Sequence, residues 1–202
     1  MDEFIENLLN GDSLDISLYQ YLRHLKEKRT IVFNDDVNEQ ILEKVYLPLR
    51  EFEQDDSNEP VLLILHSSGG SVSDGLFLAN YLEHYKKPLN ILVCGYACSM
   101  ATVLLAAGGR NPNITRYCYQ ESYCLIHDGY TALGSCESGT AQDIMAFNQI
   151  IDEHIRDLII RNTNITEEEY YKKNRKQWFI FSEEAKKIGL IDKIIGCDCD
   201  GV

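Results

Sequence analysis

The sequence predicts an α/β domain in which helices pack outside a parallel sheet. Two apolar runs of strand length, 61–65 and 89–93, are each followed by a turn of small residues and then by a helical pattern. Continuous apolar runs of this kind are typical of parallel strands that are covered on both faces. Because strand, turn and helix occur twice in succession, the short crossovers predict neighbouring parallel strands.

The composition is that of a globular protein with a packed core. Of the 202 residues, 45% are hydrophobic and 25% are charged, and the formal net charge is -13. This charge repels nucleic acids and anionic membrane surfaces, so neither is expected as a partner. No segment approaches the roughly 20 apolar residues of a membrane span, and the acidic first residues do not resemble a secretory signal. Seven cysteines scattered through apolar stretches fit a reducing compartment, so we expect a cytoplasmic protein.

The first quarter of the chain predicts a helix, a strand and a second helix. Apolar positions at helical spacing within 1–28 end in a basic stretch, which suits a helix C-terminus. Residues 30–33 predict a short strand. An amphipathic pattern over 37–52 predicts a helix that Pro48 interrupts near Tyr46.

The apolar run 100–107 predicts a buried helix that Gly108 and Gly109 end. The remaining predicted elements are, in chain order, a loop at 110–120, a strand at 122–126, a small-residue linker at 129–139, a long helix with an apolar stripe from 140 to about 160, a helix from 166 to about 176, a short helix capped by Ser182 and ended by Gly189, and a strand at 190–195. The C-x-C at 197–199 is a weak metal motif, and no metal site is expected.

Three chemically useful features follow consecutive predicted strands. They are the pair Gly69 and Gly70, then Ser99, then His127. Open parallel sheets bind ligands at the carboxyl ends of their strands, so these residues are expected to meet. Taken singly, Ser99 would be a helix N-cap and His127 a core residue. Their joint order instead predicts a serine nucleophile and its general base.

A serine nucleophile also requires donors for the developing oxyanion. The backbone N–H groups of Gly70 and Met100 are the natural pair, because glycine allows close approach and Met100 begins a helix. The G-x-S-x-G elbow of common hydrolases is absent, since Ala101 stands where its second glycine would be.

Four motifs over about residues 24–195 closely resemble those of the proteolytic subunits of Clp proteases. They are Ser68-Gly69-Gly70-Ser71-Val72, Gly95 to Ala101, Leu125-Ile126-His127, and Phe179 through Ser182-Glu183-Glu184-Ala185 to Gly189-Leu190-Ile191-Asp192. The resemblance implies a ClpP/crotonase-like spiral of strand-turn-helix units with a protruding handle helix. It also implies peptide hydrolysis through an acyl-enzyme, with Ser99 and His127 as catalytic residues and Gly70 and Met100 as oxyanion donors.

The same resemblance implies an organisation and partners. Residues 1–28 would be an N-terminal segment, 29–195 the serine peptidase domain with a handle at 129–161, and 196–202 a tail. The chain would form a homo-oligomer of heptameric rings stacked in pairs. An AAA+ unfoldase of Clp type would deliver unfolded proteins and peptides and would use the ATP, so this chain would need no cofactor.

One position departs from the family pattern. The family has an aspartate behind the histidine, and this chain has Lys173 at the matching position, with Asn174 beside it. Lysine cannot accept the imidazole N–H, whereas Asn174 could through its carbonyl oxygen. Two alternatives therefore stay open. One is a catalytically impaired structural subunit of a mixed ring, and the other is a crotonase-type acyl-CoA enzyme, against which the retention of Ser99 and His127 argues.

Overall fold

The computed structural model describes residues 23–129, 137–173 and 176–202. Residues 23–27 are helical. The elements that follow are β1 (Thr30–Phe33), a π-helical segment (Leu42–Tyr46), α1 (Leu47–Gln54), β2 (Val61–Ser67), α2 (Val72–Glu83), β3 (Leu89–Cys98), α3 (Met100–Ala107), a 3₁₀ turn (Gly108–Arg110), β4 (Ile114–Tyr119), β5 (Tyr123–Ile126), α4 (Ser138–Asn162), α5 (Glu167–Lys173), β6 (Trp178–Phe181), α6 (Ser182–Lys187) and β7 (Lys193–Ile195).

The strands of the described part form one sheet whose main path is parallel. Its order is β1-β2-β3-β4-β7, as the successive crossovers predict. Strand β3 has two partners on one side, because Leu89 to Val93 pair with β4 and Tyr96 to Cys98 pair with β5. The change occurs around Gly95, whose φ of 90° lets the strand turn. Strand β5 then pairs with β6 in the antiparallel sense.

Helix α3 lies at the centre of the core. All eight of its residues, Met100–Ala107, are buried, and the helix packs against α2, α4 and β3. An isolated helix of this length would not be stable in water, so its position depends on the surrounding packing. The predicted buried helix is confirmed, and its N-terminus is fixed at the end of β3.

Strands β3 and β4 were not predicted in full. Residues 94–98, predicted as a turn, continue β3, and β4 lies inside the predicted loop 110–120. The β4 sequence looks polar because it contains Arg116, yet this side chain is buried. It makes a paired contact with Asp192, with Nη2 to Oδ1 at 2.8 Å and Nε to Oδ2 at 3.1 Å. The carboxylate offsets the cost of burying the guanidinium, and the strand can therefore enter the sheet.

Three helix ends differ from the sequence prediction in detail. Gly108 has a right-handed φ of -71° and continues into a 3₁₀ turn, so it is not a left-handed cap. The interruption near Tyr46 is a change from π-helix to α1, with Pro48 in the first turn of α1, where its missing N–H costs nothing. Ser182 does not cap α6, since its hydroxyl donates to the Gln120 carbonyl at 2.7 Å, whereas Gly189 ends that region with a φ of 70° as predicted.

Less apolar surface is buried than the sequence pattern predicts. Strand β2 alternates between buried and half-buried residues, so only one of its faces is fully covered. Strand β6 was not predicted, and β7 is shorter than the predicted strand at 190–195.

The long helix α4 is confirmed, but its apolar stripe is buried only towards its C-terminal end. Its first half exposes four large apolar side chains, Ile144, Met145, Phe147 and Ile150. The other predicted strands and helices agree with the structure, while the first 22 residues and most of the 129–139 linker lie outside the described residues.

Candidate active site

Ser99 occupies a strained turn between β3 and α3. Its φ of 53° and ψ of -123° are rarely adopted by a residue with a side chain, and such conformations cost on the order of 1–3 kcal/mol. Although Ser99 stands at the N-cap position, its side chain makes no capping hydrogen bond. The ordinary structural role for a serine before a helix is therefore not the one that Ser99 has.

Backbone contacts hold this turn from two sides. The Ser99 N–H donates to the Leu125 carbonyl of β5 at 2.8 Å. On the other side, a methyl group added to Gly69 would lie 2.7 Å from Ser99 Cβ and 2.8 Å from the Met100 nitrogen. The glycine turn and the serine turn are thus in direct contact, as their positions at neighbouring strand ends predict.

The glycine turn is itself held by Val37, which precedes the π-helical segment. Val37 N–H donates to the Gly69 carbonyl at 2.7 Å, and Ser71 N–H donates to the Val37 carbonyl at 2.7 Å. Gly69 and Gly70 have φ values of 95° and 144°. Within the described residues, the N–H groups of Gly70 and Met100 donate to no other backbone group. For Met100 this follows from its place as the first residue of α3.

A cavity of about 280 Å³ brings the sequence-predicted residues together. Ser99, Met100 and His127 all line it, and most of its other lining residues come from α4 and α5. Gly70 is not among the described lining residues; it pairs with Val37 and follows Gly69, which contacts the Ser99 turn. His127 follows β5 and is half-buried. In the part of the chain that the structure describes, no direct hydrogen bond joins Ser99 and His127, as is common before a substrate is bound.

Three carboxylates in the cavity wall were missed at the sequence level. Asp128 follows His127, while Asp152 and Glu153 come from α4. Desolvation in the wall raises the pKa of Asp152, and the nearby charge of Asp128 raises it further. The one lining arginine, Arg156, is already paired with Asp157 at 2.8 Å and with the Tyr171 hydroxyl. The helical pattern of α4 does not indicate that Asp152 and Glu153 lie on the face that meets the cavity.

The raised pKa of Asp152 predicts a pH-dependent loss of stability. The folded protein holds this proton more tightly than the unfolded chain does, so stability falls as the pH rises from below the ordinary aspartate pKa through the raised value. Asp152→Asn removes the penalty and is expected to raise the melting temperature at pH 7 but not at pH 3. Thermal unfolding at both pH values measures this, with Asp143→Asn, on the same helix but not among the described lining residues of the cavity, as control. An equal shift for both variants would contradict the prediction.

Lys173, the residue at the family's aspartate position, pairs with neighbouring carboxylates. Lys173 Nζ contacts Glu184 Oε1 at 2.8 Å and Glu169 Oε1 at 2.9 Å, and it lies 4.1 Å from the centroid of the Trp178 ring. Lys173 therefore belongs to a local ion cluster and is not among the described lining residues of the cavity. Asn174, the candidate orienting residue, lies outside the described residues.

The three buried cysteines among those described do not form a second reactive centre. Cys98, Cys118 and Cys124 are buried, and burial raises the pKa of each thiol, to about 12 for Cys118. Such thiols stay protonated at neutral pH and are poor nucleophiles. Within the three described ranges, no group of three or more His, Cys, Asp or Glu residues could hold a metal ion. The same ranges contain no helix that combines the length and hydrophobicity of a membrane span.

Comparison with known proteins gives a consistent result. A family model described as Clp protease matches residues 13–198. Two curated relatives from Dehalococcoides mccartyi, strains BAV1 and CBDB1, are each 28% identical over 174 residues, which cover 85% of this chain and 84% of the relative. Both relatives are named as the proteolytic subunit of an ATP-dependent Clp protease.

Proposed function

The chain belongs to the Clp protease family as a proteolytic subunit, and we propose that it is a serine endopeptidase with Ser99 as its nucleophile. The observation that carries this assignment is the backbone strain at Ser99 together with its uncapped side chain. Strain of this kind persists at functional sites, where the surrounding structure holds it. The turn also stands at the N-terminus of α3, where the helix dipole favours developing negative charge.

In the proposed reaction, His127 takes the proton of the Ser99 hydroxyl as Oγ attacks the carbonyl carbon of the peptide. The C=O double bond opens, and the negative charge on its oxygen accepts hydrogen bonds from the N–H groups of Gly70 and Met100. The peptide C–N bond then breaks, and His127 returns the proton to the leaving amine. Water attacks the acyl-enzyme by the same route and regenerates Ser99. Neither amide donates to a backbone carbonyl within 23–129, 137–173 and 176–202, which supports their role as donors.

Labelling with a fluorophosphonate probe tests the nucleophile, because the probe phosphonylates an activated serine hydroxyl. We expect wild-type protein to be labelled and peptide mass mapping to locate the adduct on Ser99. His127→Ala is expected to slow the labelling by about 10³-fold or more, since the general base is lost. A wild-type protein that assembles and is not labelled, or is labelled at another serine, would overturn the proposal.

We also propose an oligomeric protease of paired heptameric rings that works with an AAA+ unfoldase of Clp type in the cytoplasm. The unfoldase would consume the ATP, so that this chain would need no cofactor. The names of the relatives, which describe ATP-dependent proteases, support this proposal. So do the exposed apolar side chains on the first half of α4, which a second copy would cover. Light scattering tests the assembly, and a stable monomer would contradict it.

One observation favours a second candidate, an impaired subunit that mainly completes a mixed ring. The Lys173 cluster occupies the region from which the family supplies its aspartate, and no described residue accepts a hydrogen bond from the His127 ring. In chymotrypsin-like proteases, changing the aspartate behind the catalytic histidine to asparagine lowers turnover by about 10⁴-fold. Assembly without fluorophosphonate labelling would support this candidate over an active peptidase.

A further inference from the structure

Thr102 is a buried polar residue in an otherwise apolar helix. It is 0% exposed, and the other residues of α3 are Met, Ala, Val and Leu. A buried hydroxyl is costly unless it finds hydrogen-bond partners. Its Oγ1 lies 2.6 Å from the Ala97 carbonyl, 2.9 Å from the Leu125 carbonyl and 3.3 Å from the Leu125 nitrogen. Thr102 is therefore fully satisfied, by partners that lie outside its own helix.

These partners belong to the two strands that deliver the proposed catalytic pair. Ala97 precedes Ser99 by two residues in β3, and Leu125 precedes His127 by two residues in β5. A buried threonine in a helix ordinarily bonds to a carbonyl one turn earlier in the same helix. Here the hydroxyl has one proton to donate and lone pairs to accept with. It donates to Ala97, the nearer carbonyl, and accepts the Leu125 N–H, so that one side chain joins both strands to α3.

Two backbone hydrogen bonds also join Thr102 and Leu125 to Ser99. The Leu125 carbonyl accepts the Ser99 N–H at 2.8 Å, and the Ser99 carbonyl accepts the Thr102 N–H at 2.9 Å. Ser99, Thr102 and Leu125 thus form a closed set of hydrogen bonds around the strained turn. No direct hydrogen bond joins Ser99 and His127 in the described chain, so this set adds to the pairing of β3 with β5 in fixing the two strand ends.

We infer that Thr102 is a positioning residue whose hydroxyl holds the Ser99 turn in register with the strand that carries His127. The inference rests on the proposed function of Ser99 and His127. Thr102 would touch neither the substrate nor the reacting atoms. A displacement of about 1 Å at a catalytic group costs on the order of 10²-fold in rate. The loss of the Thr102 hydroxyl should therefore lower kcat.

The test compares Thr102→Ser, Thr102→Ala and Thr102→Val in the assembled full-length protein. Serine and alanine both remove the methyl group of Thr102 and differ from each other only in the hydroxyl, while valine keeps the shape of threonine without the hydroxyl. We expect kcat for a fluorogenic peptide and the rate of fluorophosphonate labelling to fall by about 10- to 100-fold in Ala and Val, with KM unchanged. Thr102→Ser should stay within about threefold of wild type.

Equal kcat values for Thr102→Ser and Thr102→Ala would overturn the inference, and so would a wild-type kcat in Thr102→Val. If Thr102→Val does not assemble, the Ser and Ala pair decides alone. If Thr102 only stabilised the fold, its replacement would lower the melting temperature but would not lower kcat at an unchanged KM. Failure of the proposed function is distinct, since wild-type protein would then carry no label on Ser99, whereas failure of this inference leaves the wild-type label in place.

Discussion

Replacement of Ser99 by alanine is expected to lower turnover of a fluorogenic peptide by a factor of about 10⁴ to 10⁶. Without Oγ no acyl-enzyme can form, and only substrate binding and the oxyanion donors remain to promote attack by water. The Ser99 side chain makes no capping hydrogen bond, so its replacement by alanine removes no cap from α3. We therefore expect the free energy of unfolding to change by less than about 0.5 kcal/mol.

The matched control for this variant is Ser73→Ala. Ser73 is an exposed serine in the first turn of α2, and its replacement should leave turnover at the wild-type value. Steady-state hydrolysis and thermal unfolding of both variants give the comparison. A Ser99→Ala protein that kept more than about a tenth of wild-type turnover would show that another group attacks the peptide.

Replacement of Gly69 by alanine is expected to destabilise the protein by about 4 kcal/mol or more, a large part of the stability of a single domain. The added methyl group would lie 2.6 Å from the Cys98 carbonyl oxygen and 2.8 Å from the Met100 nitrogen, and backbone atoms cannot move aside as the end of a side chain can. A φ of 95° adds further strain for any residue with a Cβ. Relief of this clash would displace the Ser99 turn, so activity should fall together with stability.

Gly196→Ala separates the clash from the strain. Gly196 has a similar φ of 87°, yet a methyl group there would meet nothing within 4 Å. Its replacement should cost only about 1–2 kcal/mol, the cost of the backbone conformation alone. Urea unfolding measures the free energy of unfolding of both variants. Similar losses for the two would contradict the prediction, because the clash at Gly69 would then add nothing to the cost of its positive φ.

The predictable part of the fold is the part that depends on local sequence. The runs 61–65 and 89–93 and the helix at 100–107 could be predicted because each carries its apolar pattern within a few residues. Strand β4 could not, since Arg116 enters the core only through Asp192, far away in the chain. The same holds for the extension of β3 beyond Val93, which depends on a second neighbour, β5.

In the candidate site, too, local sequence predicts some features, whereas others depend on contacts between distant parts of the chain. Ser99, Met100 and His127 follow strand ends and could be placed together from chain order alone, and they line one cavity. The strain at Ser99 could not be predicted, because it comes from contacts with Leu125 and Gly69. Thr102 was visible as the single hydroxyl in an apolar run, but its partners belong to other strands. Asn174 remains a sequence prediction.

The change of neighbours along β3 has a consequence for the order in which the chain leaves the ribosome. The first half of β3 pairs with β2, which is synthesised before it, whereas the Ser99 turn pairs with β5, which is synthesised after it. A nascent chain that ends before Leu125 lacks the acceptor of the Ser99 N–H and lacks His127 as well. The Ser99 turn therefore gains this contact only after β5 has been translated.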